Sequence, residues 1–256
     1  MEWTDRGILL SVRRHGESAA IVSLLTRHHG RHAGLVPGGG GRRMRATLQP
    51  GNLLQATWRA RLAEHLGHVA CEPVEGWSAD LLDEPLRLAA LTAALALVDA
   101  ALPEREPHGR LFDGLSDLIA TLRGHLSVEE WGPAYARFEA ALLADLGYGL
   151  DFSRCAVTGT NADLRYVSPR TGRAVSSAAA QPYRERLLAL PSFLLPAADA
   201  ALPIPRADLL AALKLTGHFL RQNVFSHLPA AGHAEAQRGL PPARERLVEK
   251  LTRRAA

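Results

Sequence analysis

Five short β-prone runs, set apart by turn residues and crowded into roughly residues 3–76, constrain this chain more than any other feature. Ile8, Leu10 and Val12 alternate with Leu9, Ser11 and Arg13, and His15-Gly16-Glu17-Ser18 then supplies turn chemistry before a second run from Ala19 to Thr26. His28-His29-Gly30 turns the chain into a third run, Arg31 to Val36. In the fourth, Leu54, Ala56, Trp58, Ala60 and Leu62 alternate with Gln55, Thr57, Arg59 and Arg61, and the fifth runs from Leu66 to Cys71, ending near Pro73. Alternation with period two belongs to half-buried strands, so Trp58 is expected in a core and Arg59 and Arg61 together on the opposite face. Strands this short need closure to protect their edges, and five of them with one long connection fit a small barrel. Both the OB-fold and an SH3-like barrel match that pattern.

The long connection carries the second signal. Gly38-Gly39-Gly40-Gly41 runs into Arg42-Arg43-Met44-Arg45 and on to Gln49-Pro50-Gly51. Glycine lets backbone approach a ligand closely, and the guanidinium fork matches phosphate oxygens. The segment reads as a mobile basic loop facing nucleic acid, with a solvated loop that binds nothing as the plain alternative. Charge segregation favours the first reading. Residues 1–61 carry ten arginines against three acids, residues 62–150 five against fifteen, and residues 151–256 fifteen basic side chains against eight acids, so a net +4 conceals a strongly basic N-terminal segment. That is the electrostatic footprint of a polyanion-binding unit. The candidate DNA contacts are Arg13, Arg14, Arg27, Arg31, Arg42, Arg43, Arg45, Arg59 and Arg61.

Beyond the barrel the periodicity turns helical. Asp83 is expected to cap a helix with Pro85 in its first turn, running through Ala101 and apolar on nearly every side. Leu111, Leu115, Leu118 and Leu122 mark a second helix closed by Gly124. Ser127 and Glu130 form a capping box opening a third, striped by Tyr135, Phe138, Leu142 and Leu146. Residues 151–182 break the pattern as an irregular or β-hairpin insert, whose Arg154, Arg165, Arg170 and Arg173 extend the basic surface.

Enzyme signatures do not develop. No Gly-Lys-Ser/Thr follows the four glycines to make a phosphate-binding loop, and no Gly-x-Ser-x-Gly elbow is present, so His15 and Ser18 read as a turn. His28, His29 and His32 lie at a turn with no acid or thiol nearby in sequence, and read as turn residues or phosphate contacts rather than metal ligands. No run reaches the roughly 18 apolar residues of a membrane span. Two isolated cysteines, Cys71 and Cys155, and the absence of a basic, apolar leader after Met1 point to a reducing cytoplasm.

Read in order, Trp3-Thr4-Asp5, Ile8-Leu9-Leu10, Arg14-His15-Gly16-Glu17-Ser18, Leu25-Thr26-Arg27-His28-His29-Gly30 and Leu48-Gln49-Pro50-Gly51-Asn52 resemble the N-terminal domain of the RecO family of bacterial recombination mediators. The similarity continues through Phe138, Leu142-Leu143, Leu146-Gly147-Tyr148 and Leu150, Ser168-Pro169-Arg170-Thr171-Gly172 and Leu240-Pro241-Pro242-Ala243-Arg244. The resemblance implies an α+β protein: an OB-fold nucleic-acid-binding domain over residues 1–78, then a helical domain over residues 79–256 carrying the insert at 151–182. It implies a cytoplasmic, nucleoid-associated protein of DNA repair and recombination, not an enzyme. Such a protein binds single- and double-stranded DNA, anneals complementary strands and helps load RecA onto DNA coated with single-strand-binding protein. Its implied protein partners are RecR, with the barrel as contact surface, the acidic and hydrophobic C-terminal tail of single-strand-binding protein, and RecA indirectly. Arg137, Arg206, Arg221 or Arg244 are candidates to hold that tail in a groove among the helices. Many relatives carry a four-cysteine zinc module in the insert, whereas here Cys155 stands with Thr158, Ser176 and Ala179, and no zinc or other cofactor is expected. The alternative functions are an RNA-binding OB-fold adaptor and a protein-interaction scaffold.

Overall fold

The structure, a computed structural model, describes residues 1–196, 203–226 and 239–253. It divides into two compact units, Met1–Gly124 with Pro241–Leu247, and His125–Leu240 with Val248 onward.

The first unit is built on a closed five-stranded barrel of order β1-β2-β3-β5-β4. Its strands are β1 (Glu2–His15), β2 (Ala19–Thr26), β3 (Gly30–Val36), β4 (Leu53–Arg59) and β5 (His68–Glu75). β1 is long enough to pair along β4 with its first half and β2 with its second, and Gly7 and Ile8 pair with both. A bulge between Leu9 and Ser11 bends the strand there, as barrel closure demands. The last seam joins β3 and β5 in parallel at Leu35 and His68, where the Leu35 amide donates to the Gly67 carbonyl at 3.0 Å. This strand order is that of the OB-fold.

Leu9, Val22, Leu24, Leu54, Ala56, Trp58 and Val69 fill the barrel, as the period-two reading of β4 requires. Ile8, Leu10 and Leu25 are buried as well. The helix α1 (Pro85–Ala101) packs against β1 and β2, so these strands are apolar on both faces. α1 starts at Pro85 after Glu84, and the expected Asp83 cap is not formed: Pro at the first helical position already removes one of the amides a cap would satisfy. α2 (Gly109–Arg123) ends at Gly124 and buries Leu111, Leu115, Leu118 and Leu122.

β4 ends at Arg59, so Arg61 leaves the strand and does not share its face as period two predicts. The cause is local. Gly67 lies under Trp58, where a Cβ would come within 2.6 Å of the indole, and the Trp58 Nε1 donates to the Leu66 carbonyl at 3.0 Å, so the chain turns under the indole instead of extending. The glycine-rich connection is likewise folded where a mobile loop is expected. The Gly40 amide donates to Ser18 O at 2.8 Å, residues 42–44 form a single 3-10 turn, and the Leu48 amide donates to Met44 O at 2.8 Å. Buried Asn52 then fixes its end, its Nδ2 donating to Ala46 O and Thr47 O and its Oδ1 accepting from the Ser78 amide and hydroxyl.

In the second unit α3 (Val128–Asp145) opens with the expected capping box, the Ser127 amide donating to a Glu130 carboxylate oxygen at 2.7 Å. α3 lies against α5 (Arg206–Phe219), with Gly132 allowing the approach: a Cβ there would stand 2.5 Å from a Leu209 methyl. The insert is a three-stranded sheet, β6 (Leu164–Val167) between β7 (Ala174–Ser176) and β8 (Leu188–Ala189), with the one-turn α4 (Ser177–Ala180) following β7. It therefore reaches past residue 182. α5 passes into a π-helical turn, Leu220–Phe225, and α6 (Pro242–Arg253) ends the described chain. No helix of the described residues is long and apolar enough to cross a membrane.

Candidate nucleic-acid interface

The nine candidate arginines of the barrel fall at its two ends. Arg13 and Arg14 pair with Ile21 and Ala20 where β1 meets the β1–β2 turn, and the Gly40–Ser18 hydrogen bond brings the connection carrying Arg42, Arg43 and Arg45 onto that same turn. All five side chains are exposed, and no acidic side chain pairs with any of them among the described residues. Met44 and Leu48, packed against the barrel core, anchor the loop from below. The result is five exposed guanidinium groups on a supported scaffold, a concentration of positive charge with the chemistry to meet phosphate oxygens.

The other four serve the fold or stand apart. Arg27 makes a bidentate pair with Asp113 of α2. Arg31 donates from Nε to Leu102 O at 2.8 Å and faces Asp99 and Glu104 at 3.6 and 3.5 Å. Arg59 pairs with Glu2 at 2.7 Å across the β1–β4 ladder, and Arg61 is exposed in the following turn. In the first three the acids of residues 62–150 or of β1 already answer the charge. The charge tally of the sequence counts arginines and is blind to such pairing.

The same end holds an acid that sequence distance conceals. Asp5 is buried, and its carboxylate accepts from the Arg6 and His28 amides, both at 2.8 Å, and from Nδ1 of His28 and of His29 at 3.1 and 3.3 Å. Burial pushes the Asp5 carboxyl up, but these four hydrogen bonds outweigh it and hold the group below its ordinary value. No acid stands near the histidines in sequence, and it is strand pairing, bringing β1 beside the β2–β3 turn, that supplies one from 23 residues away. Among the described residues no group of three or more His, Cys, Asp or Glu is placed to hold a metal.

In the second unit Arg165 pairs with Asp163 and Arg173 with Asp151, while Arg154 and Arg170 are exposed. Arg137 donates to Phe193 O and lies over the Phe193 ring, Arg206 faces Glu129 at 3.4 Å and Arg221 is exposed on the π-helical turn, whereas Arg244 is buried and belongs to the first unit. Cys155 is buried with its Sγ accepting from the Ser176 amide at 3.3 Å. Burial pushes this thiol up, but hydrogen bonds from Ser176 and Thr158 prevail and bring it to about 6. Of the three positions that stand where relatives carry further cysteines, Thr158 and Ser176 hydrogen-bond the one sulfur present.

A five-stranded barrel of order β1-β2-β3-β5-β4, closed by a parallel β3–β5 seam, defines an OB-fold protein. The family profile described as recombination protein O N terminal matches residues 1–77, and that described as recombination protein O C terminal matches residues 82–231. Proteins named DNA repair protein RecO are similar along the whole length. That of Rhodospirillum centenum is 52% identical over 252 residues, covering 98% of this chain and 94% of the relative. That of Rhodospirillum rubrum is 48% identical over 258 residues, covering 100% and 98%, and that of Methylobacterium nodulans is 51% identical over 229 residues, covering 88% and 91%. The chain belongs to the RecO family of DNA repair proteins.

Proposed function

We propose that the chain is a non-enzymatic recombination mediator: it binds single- and double-stranded DNA through the end of the barrel carrying Arg13, Arg14, Arg42, Arg43 and Arg45, and anneals complementary strands. In the same reading it helps load RecA onto DNA coated with single-strand-binding protein, with RecR and the acidic tail of single-strand-binding protein as its protein partners. The observation that carries this is the gathering of five arginines, unpaired with any acid, on one folded surface. Two strands brought together repel through their phosphates, and fixed guanidinium groups reduce that repulsion without covalent chemistry. Membership of a DNA repair family supports DNA as the polyanion.

The test is strand annealing and RecA assembly on gapped DNA coated with single-strand-binding protein, with the wild-type chain and an Arg42→Ala, Arg43→Ala, Arg45→Ala variant. Wild-type stimulation, lost in the variant while its fold persists, is expected. Absence of annealing by the wild-type protein at low salt would overturn the reading, and RNA competing as well as gapped DNA would favour the adaptor alternative.

A further inference from the structure

The end of the barrel opposite the arginine-bearing connection contains an aromatic pocket of about 460 Å³, within the range of small-ligand sites. Its walls are rings. Trp3 and His29 stack with centroids 4.3 Å apart and planes within 8°, Trp3 and Trp58 lie 5.9 Å apart within 14°, and His32 meets both indoles edge-on at 5.0 and 4.8 Å. Three of these rings come from β1, β3 and β4, so their positions are set by the barrel ladder rather than by a loop.

Two buried polar groups lining this pocket have no partner. His32 is 5% exposed, and neither ring nitrogen makes a hydrogen bond. Its burial, and then the charge of Arg105, push the imidazole down to about 4, so it is neutral at pH 7, with one N–H and one lone pair. The His29 carbonyl lies near enough to favour the protonated ring without meeting hydrogen-bond geometry, and a carbonyl or an indole face answers only an N–H. The lone pair has nothing to accept. Arg105 is the complement: its Nε–H is buried and unpartnered while its Nη2 donates to His65 O at 3.1 Å. Arg105 holds φ at 67°, a strained value for a residue with a side chain, kept in place by its own amide donating to Arg31 O at 2.8 Å. Leaving a buried acceptor and donor unmade is costly, and both belong to residues that line one pocket walled by aromatic and imidazole rings.

The geometry points to a pocket for one unpaired nucleobase, laid against the half-open rings of His28 and His29 with its pairing edge turned toward His32 and Arg105. This rests on the DNA reading above and deepens it. The pairing edge of every base presents a donor beside an acceptor, so the site accepts any base, yet that edge is engaged in a duplex and only an unpaired base can enter. The barrel then binds DNA at two places of different chemistry, phosphates at the arginine end and a base here.

The experiment measures binding of the full chain to a 12-mer of thymidylate, to an otherwise identical strand with abasic sites throughout, and to a 12-base-pair duplex, for wild type, His32→Phe and Trp3→Ala. His32→Phe keeps the ring and removes both nitrogens. Wild type should prefer the base-bearing strand to the abasic one by about tenfold, in line with the stacking energy of a single base. Both variants should lose that preference and retain abasic and duplex binding. A shift of the His32 ring ¹⁵N resonances on addition of the thymidylate strand, absent with the abasic strand, reads the same contact without substitution. Equal wild-type affinity for the two strands, or an unaltered preference and no ¹⁵N shift with folded variants, would overturn the pocket alone. Failure of all three DNAs to bind wild type would overturn the DNA reading and the pocket together.

Discussion

The amide of Gly40 donates to the carbonyl oxygen of Ser18 at 2.8 Å, and this one bond folds the arginine-bearing connection onto the β1–β2 turn. It turns two stretches 28 residues apart, Arg13-Arg14 and Arg42-Arg43-Met44-Arg45, into one basic surface.

Binding should therefore report the number of arginines gathered there. Five phosphate contacts on a single strand give a slope of log K against log salt of about −3.5, and the Arg42→Ala, Arg43→Ala, Arg45→Ala protein should retain a slope of about −1.4. A salt titration by fluorescence anisotropy measures both. A wild-type slope near zero would refute a phosphate interface, and the melting temperature should be unchanged because these side chains are exposed.

Trp58 tests the barrel. It is 2% exposed and its Nε1 is hydrogen-bonded, so Trp58→Ala should cost about 3–5 kcal/mol in chemical denaturation. Trp58→Phe keeps most of the packing but leaves the Leu66 carbonyl unanswered, and should cost about 1 kcal/mol beyond the lost volume.

Acid should loosen the barrel in two steps. His32 titrates at about 4 when folded against 6.5 when exposed, so the unfolded chain binds the extra proton between these values and stability rises with pH across that window. Lowering the pH from 6.5 to 4 should remove about 3 kcal/mol, and His32→Phe should flatten this part of the curve. The Asp5 carboxyl, held below 3.8, contributes stability that is lost only at still lower pH, as the carboxylate takes up its proton.

Zinc analysis of the purified chain should find no stoichiometric metal, and a chelator should change neither folding nor DNA binding. The Cys155 sulfur is hydrogen-bonded by Thr158 and Ser176, and among the described residues no group of three or more His, Cys, Asp or Glu is placed to hold a metal. One zinc per chain, retained on dialysis and lost with Cys155→Ser, would contradict this.

Gly30 should admit no side chain. Its φ is 68°, and a Cβ would fall 1.9 Å from the Glu106 carbonyl oxygen, a clash between backbones that no rotamer relieves. Gly30→Ala should cost more than about 3 kcal/mol by thermal or urea denaturation. A loss below 1 kcal/mol would show that the 104–106 segment can withdraw from the β2–β3 turn.

How much of this was legible beforehand follows physical range. Leu54, Ala56 and Trp58 announced their strand because alternation is local, and Ser127 with Glu130 announced a helix start because a capping box spans three residues. Ile8 and Leu25 gave no hint that a helix covers the barrel, since apolar residues on both faces look alike whatever buries them. Arg27, Arg31 and Arg59 counted as DNA contacts in a charge tally, while Asp113, Asp99, Glu104 and Glu2 reach them only through tertiary structure. The Trp3, His29, His32 and Arg105 pocket was equally hidden, for its rings come from three separate segments and its cation from a fourth.

Arg31 reaches forward along the chain. Its Nε is tied to the Leu102 carbonyl, 71 residues later, and β3 also forms a bridge from Arg31 to Glu104. During synthesis the five strands leave the ribosome well before these partners do. The five strands alone therefore leave Arg31 unlatched and the outer face of β1 and β2 uncovered, and both needs are met by the helix after Pro85 and the segment behind it. Completion of the barrel is in this way left to residues outside its five strands.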